Sequence, residues 1–339
     1  MSTPVPRTRP ATSADVAERA RVSRSTVSQI LNGDDRFPER TRARVLAAAS
    51  ELDYRPSHAG RALVSGLSDI VIVIVPNVTF GPGLQDSVDR ITQATSLAKL
   101  SVVLRFAGFE DESALSSVLD VRPIAIVDLG VFNESQRSRI RKLGTRIIPS
   151  VPPSDEEGED EGLDIWIGRL QAREILRNGS RRLVYAGLAD KRLDPFGPYR
   201  LEGVRREARE RGVEDPLEIR VPLSAERAAD ILAETLATTG THAIGVCCYK
   251  DEVALAVIAA ARRLGRRIPE DISVIGVDNT EVGQLVSPRL TSVEIDLAQL
   301  IEAVILELGD LRSPKPRIGN FHASHPPADL ARLVSGQTT

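Results

Sequence analysis

Between residues 12 and 52 apolar positions recur every three or four residues, and from residue 69 they give way to short β-branched runs alternating with helical stretches. In the first region Val16, Ala17 and Ala20 share one helical face, and Val27, Ile30 and Leu31 share another. A tight turn separates the two and ends at Ser23, whose hydroxyl can accept from a free N–H of the second helix and so marks its start. A third helix is predicted over 39–52, and its stripe of Val45, Ala48, Ala49 and Leu52 can close a small three-helix core. Two short amphipathic helices this close predict a helix-turn-helix, whose second helix can enter a DNA major groove. From pattern alone an ordinary helical hairpin competes with that reading. The exposed side of the second helix offers Arg24, Ser25, Ser28 and Gln29, side chains able to read base edges or hold phosphates.

In the second region strands are expected at 70–75, 101–106, 124–129, 146–150, 183–186, 243–248, 272–277 and 291–295. Helices are expected at 84–97, 168–177, 200–211, 225–237 and 251–264. Buried strands alternating with helices imply α/β architecture with parallel sheets covered on both faces. These strands are too many for one mononucleotide-type half, so two parallel-sheet lobes with a cleft between them are expected. In such sheets ligands bind at the carboxyl ends of the strands. The acidic run at 154–162 reads as a solvated loop near the crossover, with a binding role as the second reading.

Charge sharpens the division. Residues 1–66 carry 11 Arg and no Lys against 7 acidic residues, so this end is +4 within a chain of net charge −3. A basic end on an acidic body suits a segment that meets a polyanion while the body does not. The 339 residues suggest two or three domains. The two cysteines, Cys247 and Cys248, are adjacent on an expected strand, point to opposite faces and cannot readily bridge. They read as buried thiols of a reducing cytoplasm, with a redox pair as the lesser alternative. No run approaches the roughly 20 apolar residues of a membrane span, and no signal peptide is visible, so no membrane partner is expected. Enzyme motifs are missing: there is no nucleophile elbow, P-loop or dinucleotide fingerprint. His322 and His325 have metal-capable spacing but no further ligand nearby, so neither metal nor cofactor is expected.

On these residues the chain resembles the LacI/GalR family of bacterial transcription regulators. The resemblance is carried by 15–20 (DVAERA), 22–33 (VSRSTVSQILNG), 41–49 (TRARVLAAA) and 52–56 (LDYRP). In the body it is carried by 200–204 (RLEGV), 250–255 (KDEVAL) and 268–278 (IPEDISVIGVD). It implies a homodimer binding a palindromic operator, most simply as a repressor, with a periplasmic-binding-protein-like body that takes a small-molecule effector. Arg24, Ser25 and Gln29 match base-reading positions, and Thr12, Ser23, Thr26, Ser28 and Asn32 match phosphate-holding ones. Thr12 also opens a capping pattern with Asp15. The segment 57–64 matches a hinge helix, with Ser57 and Arg61 facing DNA and Leu63 as a minor-groove wedge. The implied divisions are a basic arm at 1–11, the helix-turn-helix at 12–56, the hinge at 57–68, the two-lobed body at 69–333 and a tail at 334–339.

Arg200 and Asp278 match ligand-holding positions, with internal ion pairs as their competing role. Phe80, Trp166 and Tyr249 are candidates to line the cleft, beside Lys250. The chain departs from the family pattern at several points. Arg21 stands where a turn glycine is usual, so either the turn differs or Arg21 adds a phosphate contact. Gly60 replaces a hinge alanine. Lys250 replaces a common asparagine, and Val151, Pro152 and Ile295 replace polar positions. Together Lys250 and Arg200 lead to the expectation of an anionic effector.

Overall fold

In the computed structural model the residues described are 11–31, 34, 36–54, 68–77, 82–108, 111–149, 162–180, 182–240, 243–311 and 327–339. The chain divides into two compact units, one comprising residues up to Ile70 with Arg122–Ile124 and one comprising the rest.

The first unit holds α1 (Ser13–Ala20), α2 (Arg24–Leu31) and α3 (Glu39–Glu51). Val16, Ala17, Ala20, Val27, Ile30, Val45, Ala48 and Ala49 form its core, the set that the apolar spacing implies. Thr12 opens α1 with a capping box: its hydroxyl accepts from the Asp15 N–H (3.4 Å), and the Asp15 carboxylate accepts from the Thr12 N–H (2.6 Å). The helix stops at Arg21 in the left-handed conformation (φ 53°, ψ 52°), where the Val22 N–H returns to the Ala17 carbonyl at 3.0 Å.

The second unit contains two sheets. The first joins β1 (Ile70–Pro76), β2 (Ser101–Ala107), β3 (Ala125–Asp128) and β4 (Arg146–Ile148) in the order β2-β1-β3-β4, with β1/β3 and β3/β4 parallel. Its helices are α4 (Pro82–Leu97), α5 (Glu112–Asp120) and α6 (Glu134–Lys142). The second sheet has β5 (Arg182–Leu188), β6 (Leu217–Val221), β7 (Ile244–Cys248), β8 (Ile272–Val277), β9 (Thr291–Ile295) and β10 (Ala331–Val334) in the order β10-β9-β8-β7-β5-β6. All of its pairings are parallel except β10 with β9. Around it lie α7 (Leu163–Arg177), α8 (Gly197–Glu210), α9 (Ala225–Thr239), α10 (Asp251–Arg263) and the short α11 (Glu281–Leu285). After β9 the chain forms α12 (Leu297–Gly309), which packs on α4 of the first lobe with Arg90 and Glu302 at 3.7 Å. It then returns through α13 (Pro327–Leu330) to β10.

Every expected strand is present, and two more appear. β6 is an edge strand whose alternating Leu217, Ile219 and Val221 are interleaved with Glu218 and Arg220, with only Val221 buried. β10 closes the opposite edge against β9. The expected tail is not loose: Thr338 is fully buried, its N-terminal neighbours run beside β9, and it exchanges two 2.7 Å hydrogen bonds with the Val274 backbone. Cys247 and Cys248 are buried and free, and burial pushes both thiols up. Among the described residues no helix is long and apolar enough to cross a membrane, and no acidic, His and Cys cluster of metal-binding size occurs.

Candidate functional site

At the start of α2 the Ser23 hydroxyl accepts from the Thr26 N–H (3.1 Å), so it caps the helix as its sequence position implies. It also bonds the hydroxyls of Ser25 (2.7 Å) and Thr26 (2.8 Å). Arg24, Ser25 and Gln29 are exposed and Ser28 half-buried, while Val27 and Ile30 anchor the opposite face in the core. One helix therefore presents all of these expected polar contacts on a single solvent-facing side. Arg21 is exposed in the preceding turn, and its left-handed backbone costs a non-glycine residue roughly 1–2 kcal/mol. Asn32, Ser57, Arg61 and Leu63 lie outside the described residues, as does Phe80.

In the second lobe Arg200, in the first turn of α8, is only 5% exposed. Its Nε donates to Asp164 at the start of α7 (2.9 Å), and its Nη1 donates to the Tyr249 carbonyl (2.6 Å). Its guanidinium lies 5.0 Å from the centre of the Tyr249 ring and 5.8 Å from that of Phe196. Burial opposes the charge most strongly, but Asp164 together with Tyr249, Asp278 and Tyr185 outweighs it, and the arginine pKa is raised. Lys250, just before α10, reaches toward Asp278 (3.6 Å) and Glu252 (3.7 Å). Asp278 follows β8, is exposed, and holds φ at +95°. A strained non-glycine backbone there keeps a carboxylate projecting from the carboxyl end of a strand.

Arg200, Tyr249, Lys250 and Asp278 thus come together, with Arg200 and Asp278 in the internal ion pairs that stood as their competing role. Tyr249 is 2% exposed and backs Arg200 instead of lining an open wall. Trp166 sits two residues beyond Asp164, hence on a different face of α7, with its ring 5.4 Å under the Arg173 guanidinium. The two cations behind the anion expectation are each paired with carboxylates. Arg200 and Lys250 face Asp164, Asp278 and Glu252, two cations against three carboxylates.

Asp164 was not singled out by the sequence, because it falls between the acidic run read at 154–162 and a helix placed from residue 168. Two glycines set its distance from Arg200. A Cβ on Gly168 would stand 1.9 Å from the Arg200 carbonyl oxygen, and one on Gly203 would stand 2.0 Å from that of Ile165. Only glycine lets α7 and α8 cross backbone to backbone. The sequence also gave no sign of the buried Asp194, paired with Arg220 beside Tyr185 and held by burial at a pKa of about 6.

The model of bacterial regulatory proteins of the lacI family matches residues 12–57, and that of the periplasmic binding protein-like domain matches 172–339. The HTH-type transcriptional regulator GntR of Pseudomonas aeruginosa is 30% identical over 291 residues, 82% of each chain. The chain belongs to the LacI family. It is a DNA-binding transcriptional regulator of that type, with a helix-turn-helix and a two-lobed ligand-binding body. The HTH-type transcriptional repressor CytR of Escherichia coli is 27% identical over 301 residues, 84% of each chain. The lac repressor dimer bound to operator and an anti-inducer shares the LacI-family fold, with a TM-score of 0.69 at 21% identity over 98% of this chain and 99% of that one. These curated relatives are transcription regulators, not enzymes.

Proposed function

We propose that this LacI-family regulator is a repressor that binds a palindromic operator as a homodimer, and that a small molecule in its body changes its hold on DNA. The carrying observation is the outer face of α2, where Arg24, Ser25 and Gln29 project to solvent from a helix anchored by Val27 and Ile30. Arg24 suits a guanine edge and Gln29 an adenine edge. Ser23, Thr26, Ser28 and Thr12 serve phosphates, and the family resemblance adds Asn32, Ser57, Arg61 and Leu63 as further DNA contacts. Repression follows the named activity of the CytR and lac relatives.

Dimerisation is supported by apolar side chains left in water. On edge strand β2 both Val103 and Leu104 are exposed, at 46% and 42%, and on α11 Leu285 is 84% exposed. A second copy covering these surfaces removes apolar area from water and blunts a bare sheet edge.

For the effector, the paired charges around Arg200 favour a neutral or zwitterionic molecule that both donates and accepts hydrogen bonds. Asp278 would accept from it, and the Lys250 ammonium would donate. Isothermal calorimetry with neutral polyols, amino acids and sugar phosphates tests this, and binding of the phosphates alone would restore the anionic reading.

A binding selection on genomic fragments, read by sequencing, tests the main proposal. A palindrome of roughly 14–20 base pairs is expected, because two headpieces imply two half-sites about one helical turn apart. Recovery of a single asymmetric half-site, or of no enriched sequence, contradicts it.

A further inference from the structure

Arg21 left two readings open, an altered turn or an added contact, and the backbone excludes the first. The turn is closed by main-chain hydrogen bonds alone, Arg21 N–H to Glu18 O at 3.2 Å and Val22 N–H to Ala17 O at 3.0 Å. Its φ of 53° and ψ of 52° are values that glycine adopts without strain. The arginine side chain therefore adds nothing to this turn and loads it with strain. Strain kept at an exposed position points to use of the side chain.

Three other headpiece arginines are tied to carboxylates, while Arg24, Arg40 and Arg44 are exposed like Arg21. Arg19 is held by Glu51 at 2.6 Å, Arg36 by Asp34 at 2.7 Å and Arg42 by Glu39 at 3.7 Å. Among the described residues Arg21 forms no ion pair or side-chain hydrogen bond, and it is exposed. It lies two positions before Ser23, on the approach to the helix that carries Arg24 and Gln29. A planar guanidinium left unneutralised there has the geometry to grip a phosphate through two parallel N–H donors.

We propose that Arg21 is a DNA-anchoring residue that binds a backbone phosphate outside the bases read by α2, retained at the expense of headpiece stability. The proposal rests on α2 being the DNA-reading helix. It gives stability and affinity opposite signs in one variant, which a structural role does not.

The test uses full-length Arg21→Gly and Arg21→Lys with the operator recovered from genomic fragments. Fluorescence anisotropy at several KCl concentrations reads affinity, and amide hydrogen exchange across α1 and α2 reads stability. In Arg21→Gly the exchange is expected to slow while affinity falls. One phosphate contact contributes a log–log salt slope of about 0.9, which makes the loss roughly eight-fold per subunit at 0.1 M salt relative to 1 M. Arg21→Lys keeps most of the slope, because a point charge still meets the phosphate. Unchanged affinity and slope in Arg21→Gly overturn the proposal. So does faster exchange, which would make the arginine a stabiliser of its own turn. If the wild-type chain prefers no DNA sequence, the reading of α2 fails and this inference falls with it, an outcome visible before any variant is made.

Discussion

Replacing Gly168 by alanine puts one methyl group where two backbones touch. The added Cβ would lie 1.9 Å from the Arg200 carbonyl oxygen, 2.8 Å from its carbon and 3.0 Å from the Val204 nitrogen. Carbon and oxygen need about 3.3 Å, so α7 and α8 must separate by about 1.4 Å or tilt to the same effect. None of these three contacts is the far end of a flexible side chain, so the strain cannot be relieved by a rotamer change. Overpacking of this kind costs about 1–3 kcal/mol, and a backbone clash belongs at the upper end. For a unit of this size that is a fall of roughly 6–12 °C in thermal midpoint. The separation also draws Arg200 away from Asp164 (2.9 Å) and the Tyr249 carbonyl (2.6 Å), so ligand affinity should fall with stability. Calorimetry of the full chain reads the first effect and ligand titration the second. Gly309→Ala is the control, since nothing stands within 4 Å of its added Cβ at the end of α12. It should be neutral or slightly stabilising. A Gly168→Ala protein that melts within a degree or two of the native one refutes the claim that this crossing is closed to any side chain.

Asp251 is fully buried, accepts hydrogen bonds from Ser292 and Thr280, and is raised by burial to a pKa of about 6. A raised carboxylate favours folding in its protonated form, so its contribution is complete below the unfolded value near 4 and is lost as pH rises through 6. The loss is about 3 kcal/mol, and chemical unfolding of Asp251→Asn between pH 4.5 and 7.5 should lack this slope and match or exceed native stability at the upper end. If the chain is the proposed homodimer, Leu104→Asp should turn it into monomers in sedimentation velocity and weaken operator binding, whereas an unaltered dimer would place the subunit contact elsewhere. Thr12→Ala removes the α1 capping box and should cost about 1 kcal/mol of headpiece stability, read by hydrogen exchange across α1.

The headpiece was legible in the sequence because its signals are local. Helix period, the Thr12–Asp15 cap and the Ser23 cap each lie within four residues, and the structure bears out all of them. The buried parallel strands were legible for the same reason, as unbroken β-branched runs such as 70–76. Strand β6 was not, since an edge strand needs no continuous apolar run and two of its five positions are charged. The body site was half legible. Arg200, Lys250 and Asp278 stand at expected positions, but what each cation faces depends on partners brought from distant segments. Arg200 meets Asp164 across 36 residues and Lys250 meets Asp278 across 28, so the expectation of an anionic effector weighed only the cation of each pair. Tyr249 stood as a candidate to line the cleft because the sequence shows a ring without showing that Arg200 covers it.

The most direct test of the central claim, that the outer face of α2 reads the operator, is the genomic binding selection repeated with Gln29→Ala. Gln29 is exposed on that face and away from the headpiece core, so the substitution leaves the fold intact. Base preference is expected to relax at one position in each half-site, symmetrically about the centre, with the remaining positions kept and a penalty of about 1–3 kcal/mol for the native sequence. An unchanged consensus would show that α2 does not read bases through Gln29 and would contradict the account.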